Sequence, residues 1–379
     1  MLPILTKYLS PKDYGVLSIF NALVRFIVAF VSLGSINILM VSLINGKKET
    51  FNLQFRAFFQ ISLNNALISS FLISLYIYFF DSFFGLPHWL AILTPIIALG
   101  VASFEAVSGI TVFKSQHKEY AKITLSKFLF EISFSLLLIV GFGFNWIGRV
   151  GGLLLGLIIS LLFAYRYLKK QGYIDLTLDK KVLKGLITSG SPLILMNISI
   201  TIMNLSDRFF IENMVGISNV GVYNVGAVIG GIELIIANAA IAVFRPMIYK
   251  YLKNDENNIQ LQLINVLVLI GVLIGIYIFN DLIFYLLVNE SFYEAKQYVL
   301  PISLGFLFWG LGNYYMSYLI FYKKNKLNAY ISIFGMGVNL FLNYFLIIEY
   351  STIGAAYATT ITYFLISIII YIVSLKLKP

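Results

Sequence analysis

The chain has 379 residues, 59% of them hydrophobic and only 12% charged, with a net charge of +10 and a mean hydropathy of +0.88. A soluble domain carries roughly twice that share of charge, so the composition excludes an ordinary soluble enzyme and places the chain among all-α polytopic membrane proteins. Cysteine is absent and histidine occurs only at His88 and His117, which excludes a disulfide framework, a thiolate metal site and a His-rich cluster.

In chain order, residues 1–9 form a short apolar stub ahead of the turn Ser10-Pro11-Lys12-Asp13-Tyr14-Gly15. With about 17 residues needed per crossing, spans are predicted near 14–44, 57–80, 88–113, 120–141, 147–168, 183–211, 217–244, 260–288, 297–320, 327–349 and 352–373. Pro95 and Pro192 fall inside spans and are expected to kink them. The pairs Gly152/Gly156, Gly226/Gly230 and Gly271/Gly275 read as close helix contacts.

The basic residues give these spans a direction. Of the 27 Lys and Arg, 20 fall in alternate connections around 47–56, 114–122, 166–184, 245–253, 323–326 and 376–378. The opposite connections hold five, namely Lys7, Lys12, Arg149, Arg208 and Lys296, while Arg25 and Lys127 lie inside spans. The positive-inside rule puts the richer set, and with it the C-terminus, in the cytoplasm. Most of the +10 is therefore a topology signal, and no nucleic-acid partner is expected.

That direction makes 10–13 an outer turn, which nine residues at 1.5 Å each, about 13.5 Å, do not reach from the inner face. An internal repeat accounts for the stub. "YLSPKDYGVLSIFNALVRFI" (8–27) is echoed by "MVGISNVGVYNVGAVIGGIE" (214–233), with Gly15-Val16 falling on Gly221-Val222. Five spans follow each turn, but a full span, 183–211, precedes the second turn where only residues 1–9 precede the first. The expectation is a 6+6 architecture of parallel repeats related by an axis along the membrane normal. Its first helix is truncated, with roughly 10 to 20 residues missing. The lobes are 1–168 and 183–379, joined by a cytoplasmic linker at 169–182.

With "LPILTKYLSPKDYGV" at 2–16 and "GSPLILMNISITIMNLSDRFFI" at 190–211, the chain resembles the polysaccharide or O-antigen flippases, relatives of the MATE transporters in the multidrug/oligosaccharidyl-lipid/polysaccharide exporter superfamily. The resemblance covers the whole chain in helix count and loop rhythm, and departs from the family pattern in the missing first helix. It implies a non-enzymatic flippase of the bacterial inner membrane. Such a protein moves an undecaprenyl-diphosphate-linked oligosaccharide outward, for capsule or lipopolysaccharide biosynthesis, by alternating access. The partners implied are that substrate, membrane lipids, a polysaccharide polymerase and chain-length-control proteins. No cofactor is implied, and Na⁺ or H⁺ coupling stays open.

Ionisable residues inside spans are costly and mark functional candidates. Five lie well inside: Arg25, Glu105, Lys127, Glu131 and Glu233. Lys127 can pair with Glu131, four residues on, or with Glu105 at similar depth on the preceding span. Arg25 has no acidic residue near it on its own span, and its five-donor guanidinium suits a diphosphate; a pairing with Glu233 is the competing expectation. Arg25 and Lys127 are thus substrate-lining candidates, together with Asn197, Asn204, Asn339 and Asn343. Glu105, Glu131, Glu233, Asp207 and Arg208 are candidates for charge pairing, ion coupling or gating.

Two other functions fit the same residues. A cation-coupled multidrug or small-molecule exporter would need an amphiphilic cavity with an exposed carboxylate for Na⁺ or H⁺ exchange, and Glu105, Glu131 and Glu233 are the candidates. A membrane-embedded glycan polymerase or ligase would need a large outer loop, and the predicted outer loops are short. No Gly-rich nucleotide loop of the G-x-x-x-x-G-K-[ST] type occurs.

Overall fold

The computed structural model describes residues 1–33, 39, 48–80, 83–173 and 180–377, and for 48–50 and 180–194 it describes the backbone alone. Outside the described part lie most of the end of the first predicted span, the linker residues 174–179, the Pro192 side chain and Lys378. The regular elements among the described residues are helices, apart from one isolated bridge between Phe83 and Leu86. The first half of the chain contributes α1 (Leu2–Tyr8), α2 (Pro11–Ser32), α3 (Lys48–Phe80), α4 (His88–Phe113), α5 (His117–Leu136) and α6 (Asn145–Gln171). The second contributes α7 (Lys180–Met214), α8 (Ile217–Lys253), α9 (Ile259–Leu287), α10 (Lys296–Phe321), α11 (Asn325–Tyr350) and α12 (Thr352–Leu375).

Nine of the helices among the described residues are long and apolar enough to cross a membrane. α10 is not among them, for a physical reason. It packs against both α8 and α12, so it turns Tyr298, Ser303, Asn313, Tyr314 and Ser317 toward protein. A helix shielded from lipid does not need a uniformly apolar surface. α3, α7 and α8 have 33, 35 and 37 residues, more than the hydrocarbon core requires, so their ends project from it or tilt within it.

The turn at 10–15 is a helix start. Ser10 and Asp13 form a capping box: the Ser10 hydroxyl donates to Asp13 Oδ2 at 2.6 Å, and the Asp13 amide donates to Ser10 Oγ at 3.2 Å. Pro11 takes the first helical position, where its missing N–H costs nothing. At the other end α2 stops at Ser32, and Leu33 adopts the left-handed φ of 45°. The rest of the predicted span 14–44 lies outside the described residues, apart from Leu39, which is helical. α6 ends by the usual glycine route. Gly172 sits at φ 71°, and the amides of Gly172 and Tyr173 donate to the Lys169 and Leu168 carbonyls.

Two compact units result, Met1–Ser18 with Ile202–Pro379, and Ile19–Thr201. In the first, the short α1 is tied to the end of α9, where the Asn289 amide donates to Thr6 Oγ1 at 3.3 Å. Next to it the N-termini of α2 and α8 cross at their glycines. A Cβ on Gly15 would lie 1.9 Å from the Ile217 carbonyl oxygen, and a Cβ on Gly221 would lie 1.9 Å from the Pro11 carbonyl oxygen. The contact is reciprocal: the repeat that aligns Gly15 with Gly221 also aligns Pro11 with Ile217. In the second unit, α5 and α6 pack closely because Gly152 and Gly156 lie against Ser135 and the Lys127–Glu131 turn. Gly226 and Gly230 do the same for α8 against α10. Gly271 and Gly275 do not, since a Cβ on either would meet nothing within 4 Å among the described residues. Close packing there is a corrected expectation, because the spacing alone does not supply an opposing helix.

Candidate functional site

The unit Ile19–Thr201 carries the first charge cluster. Arg25 lies on α2 seven residues before Ser32, and Glu105 lies on α4 eight residues before Phe113, so both sit about 10–12 Å from the same ends of their helices. The Arg25 guanidinium donates to Glu105 Oε1 at 2.5 Å, and 61% of the Arg25 side chain stays exposed. Arg25 is thus paired with Glu105 rather than with Glu233. An exposed pair of this kind leaves most of the guanidinium's donors available.

A second group lies between α5 and α6. Glu131 accepts from Lys127 at 3.1 Å and from Arg149 at 2.6 Å, and Arg149 also donates to Ser135 Oγ at 2.9 Å. Of the two pairings open to Lys127, the one on its own helix is formed. The Lys127 ammonium also lies over the rings of Phe104 and Phe128, 5.2 and 5.0 Å from their centroids. Glu131 holds two cations, so this buried group carries net positive charge. Arg149 was counted with the outer loops in the sequence. Its place two residues inside a predicted span was the available signal that it faces protein.

The unit containing Ile202–Pro379 holds a polar network where α7, α8, α11 and α12 meet. Asp207 accepts from Arg208 at 2.8 Å and from the Tyr223 hydroxyl at 2.7 Å. Arg208 continues to Asn224 Oδ1 at 3.2 Å and to the Asn204 carbonyl at 2.9 Å. The Tyr363 hydroxyl donates to Asn204 Oδ1 at 2.6 Å. On the residue before Asp207, the Ser206 hydroxyl donates to Asn339 Oδ1 at 3.0 Å, and Asn343 donates to the same oxygen at 3.0 Å. Asn339 and Asn343 are 1% and 0% exposed, so in this structure their amides join helices and face no open space. Asn197 is half-buried, in the unit that ends at Thr201, where its carbonyl accepts from the Thr201 hydroxyl at 2.8 Å.

Glu233 stands apart. It is fully buried on α8, and neither carboxyl oxygen has a hydrogen-bond partner among the described residues. No group of three or more His, Cys, Asp or Glu placed to hold a metal occurs among the described residues. Tyr223 and Tyr363, which complete the Asp207 network, were not singled out from sequence. With 25 tyrosines in the chain, nothing in the residue type distinguishes these two.

Residues 1–252 match a family model described as polysaccharide biosynthesis protein. The chain is also similar to the capsular polysaccharide biosynthesis protein CapF of Staphylococcus aureus. The two are 27% identical over 232 residues, 58% of each chain, so the match spans less than two thirds of CapF. Three solved structures share the fold. An inward-facing multidrug resistance MATE transporter of the MOP superfamily gives a TM-score of 0.79 at 15% identity, over 99% of this chain and 92% of that one. The lipid II flippase MurJ, in an inward closed conformation, gives 0.73 at 14% identity over 99% and 84%. An outward-facing MATE transporter gives 0.64 at 16% identity over 100% and 91%.

Proposed function

Because this chain belongs to the polysaccharide biosynthesis protein family, we propose that it is a flippase for an undecaprenyl-diphosphate-linked oligosaccharide, working by alternating access of the two six-helix lobes 1–168 and 183–379. The glycan crosses the bacterial cytoplasmic membrane without covalent change, and a polysaccharide polymerase and chain-length-control proteins act on it afterward. The observation that carries the reading is Arg25. Its guanidinium sits inside a membrane helix and is held by Glu105, yet most of it is exposed. A diphosphate crossing a bilayer faces a cost of at least several kcal/mol if unpaired. A fixed cation within the span lowers that cost. The Glu105 carboxylate keeps the cation from holding the diphosphate too tightly, so that release remains possible. Lys127 is the weaker candidate, because Glu131 already occupies it.

The test is substrate accumulation in the cytoplasmic leaflet, normalised to folded protein. Arg25→Ala is expected to abolish flipping at near-normal abundance, and Arg25→Lys to restore part of it, since charge returns without the bidentate fork. Wild-type transport by Arg25→Ala at equal abundance would leave Arg25 a structural charge. A second reading, a cation-coupled exporter, is favoured by Glu233, whose buried carboxyl has no partner among the described residues. Under that reading, Glu233→Gln abolishes transport driven by an ion gradient while Arg25→Ala spares it.

A further inference from the structure

Between α3, α4 and α6, within the unit Ile19–Thr201, lies a cleft of about 480 Å³. Its walls are almost wholly apolar, formed by Phe55, Phe58, Phe59, Ile96, Leu161 and Leu168. It runs along the helices. Leu168 is three residues from the end of α6, while Ile96 lies 17 residues from the end of α4, so the cleft is about 21 Å long by helix rise. Its mouth is open, with Phe59, Ile96 and Tyr165 exposed.

The two ends of the cleft differ. Arg56 and Tyr173 line it toward the end where α3 begins and α4 and α6 finish. Lys114, Lys118, Lys122, Arg166, Lys169 and Lys170 lie in the last turns of α6, just after α4 and in the first turns of α5, the helix ends at that level. Lys114 donates to the Tyr173 hydroxyl and lies over its ring, 4.7 Å from the centroid. The opposite end, near Ile96, has no charged residue in its lining.

We propose that this cleft binds one anionic glycerophospholipid, an acyl chain lying along Phe55, Phe59 and Leu161 and the phosphate at Arg56. Within a bilayer there is no hydrophobic drive to fill an apolar cleft, since lipid tails are as apolar as its walls. What holds one lipid longer than its neighbours is dispersion contact on three sides together with a charged headgroup contact. Basic pockets between membrane helices are the recognised form of such a site. The cleft has room for about one acyl chain, which matches a phospholipid with its second chain left in the bilayer, and a polyprenyl phosphate is the competing occupant that the test distinguishes. The proposal needs only a chain that spans the membrane, so it stands or falls separately from the flippase reading.

The experiment is native mass spectrometry of the full-length protein released from detergent. The probes are phosphatidylglycerol, phosphatidylcholine of the same chain length, and a polyprenyl phosphate. One phosphatidylglycerol per protein is expected to survive, in preference to phosphatidylcholine. Arg56→Gln should reduce that preference about fivefold while some chain binding remains. Ser103→Phe, which places a ring in the cleft wall, should abolish retention of either phospholipid. Ser103→Leu is the gentler plug if the Phe variant melts early. Retention unchanged in the plugged variant, or equal retention of the two phospholipids, would overturn the proposal. Displacement of phosphatidylglycerol by equimolar polyprenyl phosphate would also overturn it and assign the cleft to the substrate's tail.

Discussion

Gly15→Ala and Gly221→Ala probe the crossing of α2 and α8 directly. In each case the new methyl would lie 1.9 Å from a backbone carbonyl oxygen, where ordinary contact begins at 3.4 Å. The obstacle is main chain at the first position of a helix, so no rotamer change relieves it. The two helix ends must separate by about 1.5 Å. Forced overpacking of this kind costs about 1–3 kcal/mol, and either substitution alone should destabilise by that amount. The reciprocity makes a sharper forecast. One separation accommodates both methyls, so the double variant should cost little more than either single one, with a coupling energy nearly as large as the single effect. Thermal unfolding in detergent, followed by fluorescence-detected size exclusion, supplies the cycle, read as apparent midpoints at one scan rate because unfolding there is often irreversible. Gly271→Ala is the control. Its methyl meets nothing within 4 Å among the described residues, and alanine is the better helix former by about 1 kcal/mol, so no loss is expected. Additive losses from the two glycines, or no loss at Gly15→Ala, would refute the reciprocal contact.

Glu131→Gln leaves Lys127 and Arg149 without their shared carboxylate and should cost about 3 kcal/mol or more in unfolding experiments. Glu105→Gln, at the largely exposed pair with Arg25, should cost less than about 1 kcal/mol; equal losses at the two sites would contradict the difference in burial. Asp207→Asn deprives Arg208 and Tyr223 of a charged acceptor and is expected to lower the yield of folded protein, with a loss of about 1.5–3 kcal/mol for each charged hydrogen bond. A reporter fused after Lys378 should be active only in the cytoplasm and one placed near Gly85 only outside. Reversed signals would overturn the orientation.

The position of a residue along its helix was legible from the sequence, and rotation about each helix axis was not. Hydropathy located α4 to within a residue at both ends, and loop counting put Glu105 and Lys127 at the same depth. Whether Glu105 meets Lys127 or Arg25 depends on the azimuth at which α2, α4 and α5 pack, which a single sequence does not encode at one-residue precision. The same limit applies to Gly271 and Gly275, whose spacing describes one face of α9 and says nothing of what lies opposite it. Ser10 and Asp13 were visible as a turn, but their side-chain exchange makes the segment a helix start. Asn339 and Asn343 were visible as one polar face, four residues apart. That this face meets Ser206 depends on a contact 133 residues away in the chain.

The cluster around Glu131 also bears on how the protein enters its membrane. A charged residue at the centre of a helix costs about 2.5–3.5 kcal/mol on insertion, and α5 carries Lys127 and Glu131 while Arg149 follows on α6. If each helix partitioned alone, those costs would be met one at a time. α5 and α6 are consecutive, joined by the turn Leu137–Gly141 and a three-residue connection, and their glycines allow the backbones to touch before any later helix arrives. The hairpin can therefore pair the Arg149 charge with Glu131 internally and enter as one body. The order of synthesis then becomes part of the folding mechanism: a stall in translation between α5 and α6 would leave α5 in lipid with its Lys127–Glu131 pair lacking the further hydrogen bond from Arg149, and that nascent chain is the one a membrane quality-control protease should find.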